Sequence, residues 1–128
     1  MIRKMTNTIL LVEDDNLVCD VTKELLESLD YQVVSAYDSA QTRNIIDSEI
    51  PIDLVLLDLS LPDGNGLDLF PLMLDKRPEL KIVICTGSTY DYNRENLQKN
   101  GIMAFLQKPF NLDNLMQILE ELPVQGHA

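Results

Sequence analysis

The sequence has few cysteines, one histidine and no glycine-rich phosphate loop, and each shortage excludes a class of function. Its two cysteines, Cys19 and Cys85, lie far apart, and neither belongs to a C-x-x-C motif or has a histidine nearby. A disulfide framework or a zinc site is therefore not expected, and we interpret both cysteines as small core residues. The single histidine, His127, lies in the C-terminal tail, and no Ser-His-Asp order is present.

Basic residues are also scarce, because 10 Lys and Arg side chains accompany 21 Asp and Glu side chains, for a net charge of −11. Such a surface repels phosphate backbones and anionic lipids, so we expect no direct binding of nucleic acid. The apolar runs are far too short to span a membrane, and no signal-like segment is present. We therefore expect no membrane insertion and a cytoplasmic location.

The remaining composition is that of an ordinary globular protein, with 45% hydrophobic residues among 128. This length fits one compact domain, and such a domain buries enough surface to fold without disulfides or a structural metal. We predict a single domain over residues 1–128, with a folded core at about 8–122 and a flexible tail at 123–128. The tail is either a natural terminus or the start of a linker.

Apolar strands and amphipathic helices alternate along the chain. Unbroken apolar runs indicate strands covered on both faces, and three- and four-residue spacings between them indicate helices. Because parallel strands need right-handed crossovers, five such units predict a doubly wound, flavodoxin-like (βα)5 fold of the α/β class. The five-stranded parallel sheet is expected in the order 2-1-3-4-5, one of two common orders. The predicted strands are 9–12, 31–36, 54–57, 80–85 and 102–106, and the later helices are 39–48, 67–75, 90–99 and a last one through Leu122.

Two of the helices carry more detailed predictions. The first is expected to bury four apolar residues, namely Val18, Val21, Leu25 and Leu29. In the third, Pro71 would cost about 3 kcal/mol or more in a helix interior. A late start, with Asp68 as the N-cap, would place Pro71 in the first turn, where its missing amide costs little.

Polar side chains stand at the ends of four predicted strands. Glu13 and Asp14 follow the first strand, Asp58 ends the third, Thr86 ends the fourth and Lys108 follows the fifth. Because ligands of open α/β sheets bind beyond the carboxyl ends of the strands, we expect these five residues to converge.

The types of these residues indicate phosphoryl chemistry. Three carboxylates in contact repel one another by up to about 4 kcal/mol per pair at an effective dielectric constant of about 20. A hard divalent cation compensates best, and oxygen donors without histidine or cysteine favour Mg²⁺ over Zn²⁺. A lysine and a threonine can bind phosphoryl oxygens. The set therefore predicts a phosphoryl-transfer site with one carboxylate as nucleophile.

The motifs at these strand ends resemble the receiver domain of two-component response regulators over about residues 8–122. They are the acidic pair after the first strand, Asp58 followed by Leu-Ser-Leu-Pro-Asp-Gly-Asn-Gly, Thr86-Gly-Ser, and Lys108-Pro-Phe. Spacings of 44 residues from Asp14 to Asp58, 28 more to Thr86 and 22 more to Lys108 also suit that family.

The resemblance implies a phosphoacceptor and a metal site. Asp58 would accept a phosphoryl group from a phosphohistidine on a sensor histidine kinase or a phosphotransfer protein. Glu13, Asp14, Asp58 and the backbone carbonyl of Ser60 would hold Mg²⁺. The domain would not be an enzyme beyond its self-phosphorylation and slow hydrolysis of the aspartyl phosphate.

The resemblance also implies a switch. Thr86 and Lys108 would bind phosphoryl oxygens, Phe105 would be the switch aromatic residue, and the Lys108–Pro109 peptide bond would be cis. The surface formed by the fourth helix, the fifth strand and the fifth helix would then change and dock a partner or a second copy in a homodimer.

Other interpretations stay open at this point. Each residue taken alone has a structural explanation, such as a helix cap at Asp15 or a solvated loop lysine at Lys108. A haloacid-dehalogenase-like phosphohydrolase needs an acid or base two residues after its nucleophile, where this chain has Ser60. An FMN carrier would need a phosphate loop after the first strand, where Glu13 and Asp14 repel phosphate. A receiver-shaped adaptor that is never phosphorylated is the remaining alternative.

Overall fold

A five-stranded parallel sheet with helices on both faces forms the fold, in a computed structural model that describes residues 7–87 and 93–120. The strands are β1 Thr8–Val12, β2 Gln32–Ala36, β3 Leu54–Asp58, β4 Lys81–Thr86 and β5 Ile102–Gln107. Their order is β2-β1-β3-β4-β5, and every neighbouring pair is parallel. The predicted fold class and strand order are confirmed.

Within the described residues, five helices connect and follow the strands. They are α1 Asn16–Ser28, α2 Ser39–Asp47, α3 Gly66–Lys76, α4 Arg94–Lys99 and α5 Leu112–Glu120. Three parts of the prediction lie outside the described residues. They are the start of the fourth helix at residue 90, the end of the last helix at Leu122 and the tail at 123–128. No helix in the described part of the chain is long and apolar enough to cross a membrane.

Two hydrophobic cores lie on opposite faces of the sheet, because alternate residues of each buried strand point to opposite sides. Leu10 and Val12 of β1 pack with α2, α3 and α4, whereas Ile9 and Leu11 pack with α1 and α5. Strands covered on both faces are apolar throughout, which explains the unbroken runs in the sequence.

The buried face of α1 differs from the prediction. Val21 is 51% exposed, whereas Thr22 and Leu26 are buried. Leu25 and Leu29 are partly buried against the core, as expected. The predicted stripe was wrong at Val21 because the face that meets the sheet is centred on a threonine, which a search for apolar residues passes over.

The start of α3 was also predicted wrongly. Asn65 is the N-cap, and its side chain accepts a hydrogen bond of 2.8 Å from the amide of Leu67, so Asp68 lies inside the first turn. Pro71 therefore lies within the helix. It is tolerated there because it is exposed, while Leu69, Phe70 and Met73 anchor the opposite face in the core.

Candidate functional site

Three carboxylates meet at the carboxyl edge of the sheet, after β1 and at the end of β3. Glu13 and Asp58 are 5% and 6% exposed, and Asp14 is half-buried. Oxygen atoms of these three residues lie within 4.8 Å of one another, and no second group of this kind occurs within residues 7–87 and 93–120. The predicted convergence of Glu13, Asp14 and Asp58 is therefore present in the fold.

Lys108 reaches this cluster from the end of β5. Its ammonium donates hydrogen bonds to Glu13 Oε1 and to Asp58 Oδ2, the latter at 3.1 Å. Its backbone amide donates to the carbonyl of Thr86 at 2.8 Å, and the Lys108–Pro109 peptide bond is cis. The end of β5 is thereby joined to the end of β4, with the lysine side chain directed across β3 to β1.

Burial and charge shift the pKa values of the two paired groups. Burial raises the pKa of the Glu13 carboxyl, with a contribution from the charge of Asp58, and the bond with Lys108 offsets only part of this rise. Burial alone would lower the pKa of the Lys108 ammonium, but the bonds and charges of Glu13 and Asp58 outweigh it and raise the pKa. Lys108 therefore remains a cation at neutral pH, beside the carboxylate of Asp58.

The chain after Asp58 forms a small hairpin that leads into α3. Two-residue strands, Ser60–Leu61 and Gly64–Asn65, pair antiparallel, and we refer to this segment as the 60–65 hairpin. The amide of Ser60 donates to Asp58 Oδ1 at 3.1 Å. Gly66 closes the base of the hairpin, where a Cβ atom would lie 2.7 Å from the carbonyl oxygen of Asp58. Only glycine fits there without moving the backbone of the acidic residue.

Thr86 ends β4 at the carboxyl edge of the sheet, and Phe105 lies in the neighbouring strand, β5. Thr86 is buried at the end of β4, next to Gly87, where an added Cβ would meet no atom of the described residues within 4 Å. Phe105 is half-buried against the core of α2, α3 and α4, and the guanidinium carbon of Arg94 lies 5.1 Å from the centre of its ring. This cation–π contact ties α4 to β5. It was not predicted, because Arg94 gives no signal in the sequence beyond its charge.

The donor set at the acidic cluster fits Mg²⁺. The three side chains offer only carboxylate oxygens, and the nearest cysteine is buried in the core, where burial raises its pKa to about 12. Hard oxygen donors of this kind suit Mg²⁺, which retains several water ligands. Glu13, Asp14 and Asp58 are the side chains that would hold the ion.

Comparison with known proteins agrees with this geometry. The family model of the response regulator receiver domain matches residues 9–120. The chain is 31% identical over 121 residues to the transcriptional regulatory protein CpxR of Escherichia coli (strain K12), covering 94% of this chain and 51% of CpxR. It is 25% identical over 113 residues to the chemotaxis protein CheY of Listeria monocytogenes, covering 88% of this chain and 95% of CheY.

A solved structure is similar over nearly the whole chain. The non-phosphorylated HemR receiver domain from Leptospira biflexa superposes with a TM-score of 0.82 at 34% sequence identity, covering 95% of this chain and all of that one. The chain belongs to the receiver domains of two-component response regulators. The family match decides against the phosphohydrolase and FMN-carrier interpretations. The chain spans about half the length of CpxR.

Proposed function

We propose that Asp58 is the phosphoacceptor of this receiver, and that Glu13, Asp14 and Asp58, with the backbone carbonyl of Ser60, hold the Mg²⁺ that the transfer needs. The observation that carries the proposal is the ammonium of Lys108, 3.1 Å from Asp58 Oδ2. A cation held beside the buried carboxylate is available at the place where charge develops on a transferred phosphoryl group. The donor is a phosphohistidine on a sensor histidine kinase or a phosphotransfer protein.

In the proposed reaction a carboxylate oxygen of Asp58 attacks the phosphorus of the donor. A P–O bond forms while the P–N bond to the histidine breaks, and the imidazole leaves with the electron pair and takes up a proton. Bound Mg²⁺ supplies charge neutralisation for the phosphoryl oxygens. Lys108 exchanges its bond with Asp58 for one with a phosphoryl oxygen, and the Thr86 hydroxyl donates to another. Slow attack of water on the phosphorus of the resulting acyl phosphate breaks its P–O bond to the carboxyl group, releases inorganic phosphate and returns Asp58 to its free form.

The same proposal includes the way in which phosphorylation changes the surface of the domain. An aspartyl phosphate adds negative charge and acceptor oxygens that Thr86 can approach, and this movement opens space for the ring of Phe105. The surface of α4, β5 and α5 then changes its shape and docks a partner or a second copy of the chain. We also propose that the chain is one receiver domain with its core at about residues 8–122, which the family match over residues 9–120 supports.

Phosphorylation with a small phosphodonor tests the assignment directly. Incubation with phosphoramidate and Mg²⁺ should add one phosphate that hydroxylamine removes, as expected for an acyl phosphate. Asp58→Asn should abolish the modification, whereas Asp68→Asn, an exposed residue of α3 outside the cluster, should leave it unchanged. Mass spectrometry of the intact chain provides the measurement.

Two results would contradict the proposal. Phosphate on Ser60 or Thr86 would identify a different nucleophile. A chain that stays unmodified with Mg²⁺ and donor, while a known receiver in the same assay is modified, would favour the adaptor that is never phosphorylated.

A further inference from the structure

The tip of the 60–65 hairpin is bonded to the first turn of α2. Asp63 Oδ1 accepts a hydrogen bond of 2.8 Å from the amide of Ser39, and Asp63 Oδ2 accepts one of 3.1 Å from the amide of Ala40. The backbone on the other side of the turn also approaches α2, because a Cβ added at Gly64 would lie 3.4 Å from Ser39 Oγ. The carboxylate of Asp63 therefore joins the loop after Asp58 to the N-terminus of α2, a helix that is distant along the chain.

The base of the same hairpin is bonded to the acidic site. The amide of Ser60 donates to Asp58 Oδ1 at 3.1 Å, and the amide of Gly66 donates to the carbonyl of Leu59 at 2.9 Å. The hairpin is thus held at two points, by Asp58 at its base and by Asp63 at its tip. Ser60, which lies between these points, is the residue whose carbonyl the proposed function assigns to Mg²⁺.

The helix itself does not need Asp63 in order to begin. Asp38 is the N-cap of α2, and its side chain accepts a hydrogen bond of 2.8 Å from the amide of Gln41. Asp63 pairs instead with two of the remaining amides of the first turn, which favour a negative charge. These bonds, above all the one from the Ser39 amide, lower the pKa of the Asp63 carboxyl, so it is ionised at neutral pH.

We propose that Asp63 is a positioning residue for the phosphoryl-transfer site. By bonding the hairpin tip to α2, its carboxylate holds the backbone at Ser60 in the orientation that Mg²⁺ binding and phosphorylation require. This inference rests on the proposed function. It goes beyond that proposal because Asp63 touches neither the carboxylate cluster nor Lys108 in the described contacts.

The test compares two variants that remove different bonds from the same helix terminus. Asp63→Ala removes the bond between hairpin and helix, whereas Asp38→Ala removes the cap of α2 and leaves the hairpin bonded. Both should lower the melting temperature, but Asp63→Ala should weaken Mg²⁺ binding by about 10-fold, the usual effect of losing a group that orients a ligand. Asp38→Ala should change it less than about 2-fold, and Asp63→Asn, which retains one acceptor oxygen, should recover part of the loss.

Three measurements on the whole chain provide the comparison. They are the Mg²⁺ dissociation constant by calorimetry, the rate of phosphorylation by phosphoramidate, and amide hydrogen exchange of residues 59–66. Faster exchange in the hairpin of Asp63→Ala alone, together with weaker Mg²⁺ binding and slower phosphorylation, is the expected result.

The possible failures are distinguishable. Equal Mg²⁺ affinity in Asp63→Ala and the wild type, or equal losses in Asp63→Ala and Asp38→Ala, would overturn the positioning role and leave the proposed function intact. A wild-type chain that itself neither binds Mg²⁺ nor accepts phosphate would overturn both.

Discussion

The single ammonium of Lys108 serves two buried carboxylates, and this charge balance governs the acidic site. Lys108 pairs with Glu13 and Asp58, whereas no ion pair of Asp14 is found among the described residues. In the absence of metal, Asp14 therefore adds a third negative charge beside Glu13 and Asp58, which already share the single positive charge of Lys108. Its repulsion is weakened by solvent, since Asp14 is only half-buried.

Asp14→Asn should consequently stabilise the metal-free protein. We expect a gain of about 1 kcal/mol and a melting temperature that rises by a few degrees in EDTA. Millimolar Mg²⁺ should stabilise the wild type and help the variant much less, because the variant lacks one carboxylate ligand. Thermal unfolding with and without Mg²⁺ provides the measurement, and Asp20→Asn on the exposed side of α1 is the control. A destabilised Asp14→Asn would mean that this carboxylate has a structural role.

Arg77 makes a set of hydrogen bonds that its position in the sequence does not predict. Its guanidinium donates hydrogen bonds to four backbone carbonyls at and after the end of α2, those of Ile45, Ile46, Ser48 and Ile50, at 2.7 to 3.2 Å. Carbonyls at a helix C-terminus lack intrahelical partners and favour a positive charge. Arg77 therefore joins the end of α3 to the end of α2.

Removing this side chain should destabilise the fold. We expect Arg77→Ala to lose about 2–3 kcal/mol of unfolding free energy, because hydrogen bonds to a charged group contribute more than neutral ones. Arg77→Lys should lose nearly as much, since an ammonium cannot reach four carbonyls arranged for a planar fork. Urea unfolding provides the free energies, with exposed Arg43→Ala as the control. An Arg77→Ala variant within the error of the wild type would refute the role.

Among the described elements, α3 has a local sequence that conflicts with its conformation. Pro71 lies beyond the first turn and has no amide to bond to the carbonyl of Leu67. Burial of Leu69, Phe70 and Met73 in the core compensates for the lost bond. The conflict shows that packing of one helix face outweighs a single unfavourable residue on the other.

Pro71→Ala should therefore stabilise the protein, by about 1–3 kcal/mol, because it restores a helical hydrogen bond and removes a steric clash. Pro78→Ala is a matched comparison, for which we expect the free energy of unfolding to fall instead of rise. Pro78 is the second residue of a turn in which the amide of Leu80 donates to the carbonyl of Arg77 at 3.1 Å. Proline suits that position, so its loss should cost about 0.4–1 kcal/mol. Denaturant midpoints of both variants would show whether the two signs differ as expected.

Considered as a whole, the molecule has its proposed phosphorylation site and its proposed docking surface on neighbouring elements. The acidic cluster lies at the ends of β1 and β3, and the cation–π contact of Arg94 with Phe105 lies between α4 and β5. Between them runs β4, which ends at Thr86 and pairs along its length with β5. A movement of Thr86 toward Asp58 can therefore shift Phe105, because the strands that carry Thr86 and Phe105 are paired.

Beryllofluoride, which occupies the place of a phosphoryl group on the aspartate, should reveal this coupling. With Mg²⁺ it should change amide hydrogen exchange around Asp58 and also over residues 93–107, because the Arg94–Phe105 contact rearranges. Thr86→Ala should retain the first change and lose the second, and Thr86→Ser, which keeps the hydroxyl, should restore it. Changes limited to the loops around Asp58 in the wild type would exclude this route for the signal.

Residue type and periodicity were enough to predict the parallel sheet and the placement of Glu13, Asp14, Asp58, Thr86 and Lys108 at its carboxyl edge. The strand order was assumed from the two common ones, and the structure confirms that assumption. Buried parallel strands must be apolar and must be joined by right-handed crossovers, so few arrangements remain once the strands are identified. The polar residues at the strand ends then have only one edge on which to lie.

Contacts between residues distant along the chain depend on the tertiary structure instead. Neither the bond of Asp63 with α2 nor the fork of Arg77 can be inferred from local spacing, because their partners lie 23 to 32 residues away. The same holds for Val21 on α1 and for the cap at Asn65, where the packing of the whole element decided which face is buried and which residue begins the helix. Local pattern determines which elements form, and three-dimensional packing determines the partners of each polar side chain, because hydrogen bonds depend on distance in space.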